Sequence, residues 1–398
     1  MSVTAARGFR AAGVCAGLKA SGKPDLALVV NDGPLDTAAG VFTTNRVVAA
    51  PVVWSRRLLA GQEGGRPGHA RAVVLNSGSA NACTGEQGLR DTEATAARAA
   101  GLLRTEPGQV LVCSTGVIGE RIDMPVLLEG IDVAVLALAG TPRAGTDAAT
   151  AIMTTDTVSK EDVLTVGTGE KGWTIGGMIK GVGMLAPGLA TMLAVITTDA
   201  VLTPREAQDA LASVTARTVN RINSDGCMST NDTVLLLASG ASGVTPSRAE
   251  FDEALTDVMG RLGRRLVADA EGATHDIAIT VSGAVSEAAA EAAARTVSSS
   301  NLLKCAVAGA DPNWGRVLSQ LGTVPEDVCP FNPDEVDVTI NGVTIFRHGA
   351  PDQDRDSVDM SPRETRIDIA LSAGQAEATV WTNDLTHGYV TINADYTT

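Results

Sequence analysis

Six short segments of this 398-residue chain combine glycine with small hydroxyl, amide or thiol side chains. They are residues 76–85 (NSGSANACTG), 113–119 (CSTGVIG), 151–157 (AIMTTDT), 180–192 (KGVGMLAPGLATM), 224–233 (SDGCMSTNDT) and 308–316 (AGADPNWGR). Any one of them reads as a tight turn capped by Ser, Thr or Asn. Together they suit a pocket of backbone N–H groups and hydroxyls, the equipment that steadies an oxyanion in acyl transfer. In the fourth, Thr191 stands between a turn containing Pro187 and Gly188 and the apolar run MLAVI. A threonine there is either a β-branched strand former whose hydroxyl the backbone satisfies, or a nucleophile held on a rigid edge.

Other chemistries have less to build on. GTGEKG at 167–172 lacks the spacing of a phosphate loop and the Ser or Thr after its lysine, and no GxGxxG opens a helix. His69, His275, His348 and His387 lie far apart with no paired-ligand spacing, so no metal is expected. No GxSxG marks a serine nucleophile. Cys15, Cys83, Cys113, Cys227, Cys305 and Cys329 form no CxxC pair, and the start MSVTAARGFRAAGV has no apolar signal region. Reduced cysteines and a cytoplasmic location are therefore expected. The longest apolar stretch, TMLAVITTDAVL, is short and broken by Asp199, so no membrane partner is expected. A net charge of −15 argues against nucleic acid as a partner.

These segments need a frame. Apolar residues at 44% and charged residues at 19% describe a globular protein, and aromatics at 3% leave Ala, Val, Leu and Ile to fill its core. Length alone suggests two or three domains. Buried strands are expected at 25–30, 71–76 and 109–116, with an Ala-rich helix at 91–103, an order that predicts α/β packing. Thr203, Pro204 and Glu206 spell a helix start with a capping box, and Ser247 with Glu250 repeats it. Phe251, Leu255, Val258, Leu262 and Leu266 then recur at helical spacing as a core face. Asn341-Gly342 predicts a hairpin within 337–346. From Thr365 two or three strands are expected to run to the last residue, and 59–72 and 347–365 read as solvated loops.

In this order, and with KGVGMLAPGLATML, CSTGVIG and ADPNWGR together, the segments resemble the ornithine acetyltransferase family. These are bifunctional glutamate N-acetyltransferases and amino-acid acetyltransferases, and the likeness spans essentially the whole chain. It implies a layered α/β fold and a precursor that cuts itself between Ala190 and Thr191. The pieces, 1–190 and 191–398, would stay associated, two copies of each, with the cut not necessarily a domain boundary. No cofactor is implied. The cut makes physical sense, because a threonine hydroxyl needs help to attack at neutral pH and a freed α-amine, with a pKa of roughly 7.7–8, can act as its base.

Carried over position by position, the resemblance makes Thr191 the nucleophile and Thr115 with Gly116 the oxyanion donors. Substrate contacts fall on Thr154 (with Thr155 as the second choice for the same role), Lys180, Thr191, Glu271, Asn393 and Thr398. The implied reaction moves acetyl from N-acetylornithine to glutamate through a Thr191 ester, with acetyl-CoA as the second donor in the bifunctional type. Ser224, Cys227 and His275 depart from the family's usual residues and bear on substrate preference. Two rivals stay open: a self-cleaving hydrolase or aminopeptidase that passes the acyl group to water, and a binding protein that no longer cuts itself. An acyltransferase of the same fold with a specialised amino-acid substrate is a third.

Overall fold

The computed structural model describes residues 2–184 and 192–395. Ala190, Thr191 and Thr398 lie outside the described residues. In chain order the elements are β1 (Phe9–Val14), β2 (Leu26–Asn31), β3 (Thr37–Phe42), α1 (Ala50–Leu59), β4 (Ala72–Ser79), α2 (Gly85–Leu103), β5 (Val110–Val117), α3 (Met124–Ala137), α4 (Pro142–Ala151), β6 (Lys160–Val166), β7 (Trp173–Lys180) and β8 (Leu193–Thr198). Next come α5 (Pro204–Arg217), β9 (Thr233–Ala238), α6 (Arg248–Ala268), β10 (Asp276–Ala284), α7 (Glu287–Ser298), α8 (Asn301–Ala308) and α9 (Trp314–Leu321). The last are β11 (Asp337–Ile340), β12 (Val343–Arg347), β13 (Ala350–Pro351), β14 (Glu364–Ala370), β15 (Ala376–Asn383) and α10 (His387–Asp395).

The strands form three sheets, ordered β1-β2-β4-β5, β3-β9-β8-β7-β6 and β13-β12-β11-β14-β10-β15. Strand periodicity sorts the side chains of the second sheet between two cores. Met178, Leu193, Val195, Leu235 and Leu237 share a core with Ala27, Val29, Val73, Leu75 and Leu111, which point to one face of the first sheet. Ile175, Ile179, Ala194, Ile196, Val234 and Leu236 instead meet Leu211, Val214, Leu255, Val258 and Leu262 on α5 and α6. The first two sheets therefore stack face to face, with helices outside them. The third sheet builds a separate core with α7, α8 and α9. Lys180 is in phase with Met178, so the last residue of β7 enters the space between the stacked sheets.

Local signals account for many of these elements. Thr203 and Glu206 exchange both capping-box bonds, and Ser247 accepts the Glu250 N–H. Asn341 and Gly342 take φ values of 46° and 84° in the β11–β12 turn. The helix expected from Asp91 begins earlier, at Gly85. The expected chain of strands to the C-terminus requires correction. β14 and β15 form, but His387–Asp395 is helical. Thr386 Oγ1 accepts the Tyr389 N–H at 3.3 Å at the start of this helix, and Asn393 near its end donates to Glu271, tertiary ties that local strand propensity does not reflect. No helix among the described residues is long and apolar enough to cross a membrane.

One buried carboxylate ties the first sheet to the site. Asp25 accepts the backbone N–H groups of Ala16, Gly17, Leu18 and Lys19 at 2.6, 3.1, 2.6 and 3.0 Å. Lys19, whose backbone this loop fixes, donates its ammonium to the Met153 carbonyl at 2.6 Å, directly before Thr154. Asp25→Ala would leave these donors without an acceptor, costing about 3 kcal/mol. The melting temperature read by differential scanning fluorimetry should fall by roughly 5 °C or more; an unchanged value would show that the loop finds other partners.

Candidate active site

Thr115, Gly116, Thr154, Thr155, Lys180, Val182, Gly183, Met184, Asp225, Cys227, Glu271, Tyr389 and Asn393 line one pocket of about 640 Å³, its solvent-filled mouth included. It lies where the end of β5, the end of β7 and the loop between α4 and β6 converge. Six positions that the sequence singled out, Thr115, Gly116, Thr154, Lys180, Glu271 and Asn393, thus meet at one place. Thr155, the neighbour of Thr154, joins them.

Thr115 and Gly116 owe their position to a bulge. β4 and β5 pair in parallel until the register shifts at Gly78 and Ser79, opposite Thr115 and Gly116. Gly116 adopts φ +133°, and a Cβ there would stand 2.3 Å from the Gly78 carbonyl carbon. Only glycine fits this approach. The buried Lys180 ammonium donates to Thr115 Oγ1 at 3.2 Å and to Thr154 Oγ1 at 2.9 Å. A hydroxyl that accepts from an ammonium keeps its own hydrogen for another acceptor, so Thr115 is set up as a donor.

Beneath Lys180 is a buried ionic chain. Asp156 accepts from the Gly181 N–H at 2.8 Å and the Thr154 N–H at 3.0 Å. It also pairs with Lys160 at 2.7 Å, and Lys160 pairs with Asp269 at 2.6 Å. Burial pushes the Asp156 carboxyl up, but the Lys180 and Lys160 ammoniums and the Thr154 N–H outweigh it and bring the group down to about 2. Burial pushes the Lys180 ammonium below its ordinary range, with Asp156 resisting. A buried cation with a lowered pKa is the kind of group that active sites assemble.

The far wall is organised by Glu271, just after α6. Its two oxygens accept from Thr155 Oγ1 at 2.9 Å and Asn393 Nδ2 at 3.0 Å. Its N–H donates to the Val182 carbonyl at 3.0 Å, so α10, the α4–β6 loop and the chain after β7 meet on one residue. Met184 N–H donates to Asp225 at 2.6 Å. Burial, with Asp225 nearby, pushes the Tyr389 phenol up to about 12, so it stays protonated.

Among the three departures, Cys227 lines the pocket. Ser224 donates to Asn383 Oδ1 at 2.7 Å and its carbonyl accepts from Lys304. His275 pairs with Asp384 at 3.0 Å and does not line the pocket. Asp156, Asp225 and Tyr389 were not singled out from the sequence. The first two lie in quoted segments, where an acid among small residues was the available signal; Tyr389 lay in a stretch read as strand. Among the described residues no three His, Cys, Asp or Glu side chains group as metal ligands.

Comparison with known proteins adds a lineage to this geometry. The model of the ArgJ family matches residues 10–398. The chain is 58% identical over 398 residues to the arginine biosynthesis bifunctional protein ArgJ of Bifidobacterium longum, covering 100% of both. It is 55% identical over 396 residues to that of Streptomyces coelicolor, again covering 100% of both. Among solved structures, ornithine acetyltransferase from Mycobacterium tuberculosis in complex with ornithine is 51% identical. The match covers 48% of this chain and 96% of that one, with a TM-score of 0.44.

The ionic chain makes stability depend on acid. Asp156 has a folded pKa below its ordinary value of 3.8, so its contribution is complete above that value and is lost as pH falls toward about 2. The displacement corresponds to about 2 kcal/mol. Asp156→Asn should lower the urea midpoint at pH 7 and show a smaller further loss between pH 5 and pH 2 than the parent protein. Equal acid sensitivity in both would remove Asp156 from this role.

Proposed function

The chain belongs to the ArgJ family, and from that premise we propose that it is a self-cleaving acetyltransferase of arginine biosynthesis. It moves acetyl from N-acetylornithine to glutamate through an ester on Thr191. Relatives named bifunctional support a second donor, acetyl-CoA. The observation that carries this reading is the meeting of Lys180, Thr115, Gly116 and Glu271 in one pocket from which β7 departs and toward which β8 begins at Leu193.

In the self-cleavage, Thr191 Oγ attacks the Ala190 carbonyl carbon and the C–N bond breaks. The nitrogen takes the hydroxyl proton and becomes the α-amine of Thr191. Water then hydrolyses the resulting ester, releasing the Ala190 carboxylate. In each transfer that amine takes the Oγ proton as Oγ attacks the acetyl carbonyl. Thr115 O–H and Gly116 N–H receive the oxyanion. Collapse breaks the amide C–N bond, and the α-ammonium returns its proton to the departing ornithine nitrogen. The neutral amine of glutamate next attacks the acetyl ester by the same route in reverse. Lys180 orients Thr115, and its positive charge favours the neutral amine. Its remaining N–H and the Glu271 carboxylate give the pocket one cationic and one anionic group for two dissimilar amino acids.

The same reading has pieces 1–190 and 191–398 assembling as two of each in the cytoplasm, with Thr398 as a further substrate contact. The full-length relatives weigh against the hydrolase alternative. Acetate released from N-acetylornithine without glutamate would favour that alternative.

Intact mass spectrometry should find a fragment beginning TMLAVITTDA, and Thr191→Ala should leave one full-length chain. A Thr191→Ala protein that still splits at this bond would overturn the nucleophile. Thr115→Val keeps the side-chain shape without the hydroxyl, so kcat for acetyl transfer to glutamate should fall about 100-fold. An unchanged kcat would remove Thr115 from the oxyanion site.

A further inference from the structure

Three consecutive residues, Asn231, Asp232 and Thr233, bridge the two strands that the proposed chemistry must hold in register. Asn231 is buried between the first and second sheets. Its single amide nitrogen donates to the Ala80 carbonyl at 2.6 Å and the Ser114 carbonyl at 2.8 Å. Its Oδ1 accepts from Thr230 Oγ1 at 2.6 Å. Ser114 directly precedes Thr115, so this amide anchors the oxyanion end of β5. Only a primary amide supplies two such donors and an acceptor from one side chain.

Asp232 is fully buried and grips the other strand. Its Oδ1 accepts the Met192 N–H at 3.0 Å, while the Thr233 N–H donates to the Met192 carbonyl at 3.1 Å. Both backbone polar groups of Met192, the residue bonded to Thr191, are therefore held by the start of β9. The hydroxyl and N–H of Ser229 also face this carboxyl and, with the Met192 N–H, favour its ionised form. A fully buried acid is costly to keep unless the bonds it makes matter.

We propose that Asn231 and Asp232 are positioning residues of the acyl-transfer site, a clamp that sets the nucleophile strand at Met192 against the oxyanion strand at Ser114. The inference rests on the reading of Thr191 as nucleophile and deepens it. Because the two strands belong to different sheets, neither sheet's ladder can fix their mutual offset; the clamp does. Burial pushes the Asp232 carboxyl well above the usual carboxylate range, with Lys180 pulling the other way. What the Met192 N–H needs from position 232 is an acceptor oxygen, which the amide of asparagine also provides.

The test uses the full chain and measures self-cleavage by intact mass, then kcat and KM for acetyl transfer per cleaved molecule. Asp232→Asn should cut itself and keep kcat within about threefold of the parent. Asp232→Ala and Asn231→Ala should slow self-cleavage and lower kcat at least tenfold while KM stays within about threefold. Residues that only support the fold would lower the yield of folded protein without lowering kcat per cleaved molecule, and that result overturns the clamp. So does an Asp232→Asn protein as impaired as the alanine variant, which would demand a proton or charge. Should an alanine variant fail to fold, Asp232→Asn is judged against the parent: a kcat within about threefold supports the clamp, and a loss of tenfold or more overturns it. Failure of the parent protein to cut or to transfer acetyl would instead overturn the function proposed above.

Discussion

An ammonium with almost no access to water has to be compensated where it stands, and Lys180 is compensated by the parts of the candidate site themselves. Two hydroxyls, Thr115 and Thr154, take its hydrogens. Asp156 supplies the opposing charge and is in turn locked by Lys160 and two backbone N–H groups. Thr115 arrives from the end of β5 and Thr154 and Asp156 from the loop after α4, with Lys160 at the start of β6 holding Asp156. The loop between α4 and β6 is therefore not free to drift from the sheets, since moving it would strip a buried charge of its partners. Satisfying one cation and assembling the pocket are the same event.

The opposite wall follows a similar economy with a single anion. Glu271 joins Thr155 to Asn393, and its backbone holds Val182. A Cβ on Gly183 would lie 2.8 Å from its carboxylate, so the chain leaving β7 passes directly over it. Lys180 and Glu271 thus face a common space from elements that are remote in sequence, each restrained by neutral hydroxyls and amides. Direct pairing of the two would cancel the charges that a zwitterionic substrate could use. Because their hydrogen bonds go to hydroxyls and an amide, neither group is spent on the other.

Much of this was legible in the sequence where the signal was local. The Thr203 box, the Ser247 cap, the apolar face of α6 and the Asn341-Gly342 turn each depend on residues within a few positions of one another. The glycine-rich segments were legible as a set, because their small polar residues had no other evident use among apolar strands. What could not be read were long-range compensations. Lys160 pairs with Asp269, and nothing near either residue announces the other. Asn231 looks like a turn former, yet its amide spans two sheets. The C-terminal helix is not legible because Val390, Thr391 and Ile392 favour strands, whereas its anchors, Thr386 on the Gly272 carbonyl and Asn393 on Glu271, are remote in sequence. Tyr389 and Asn393 reach the pocket only because that helix forms.

The order β3-β9-β8-β7-β6 interleaves segments from before and after residue 191: β3, β7 and β6 precede it, while β9 and β8 follow. Severing the backbone there would remove no ladder bond between Lys180 and Leu193 or between Phe42 and Thr233. It would change what denaturation means. Before the cut, unfolding yields one molecule whose ends remain tethered; afterwards it yields two that must find each other by diffusion. Recovery would then depend on dilution, and a matured molecule once melted would have lost the topology that folded it, much as a spring-loaded latch cannot be reset from its separated halves.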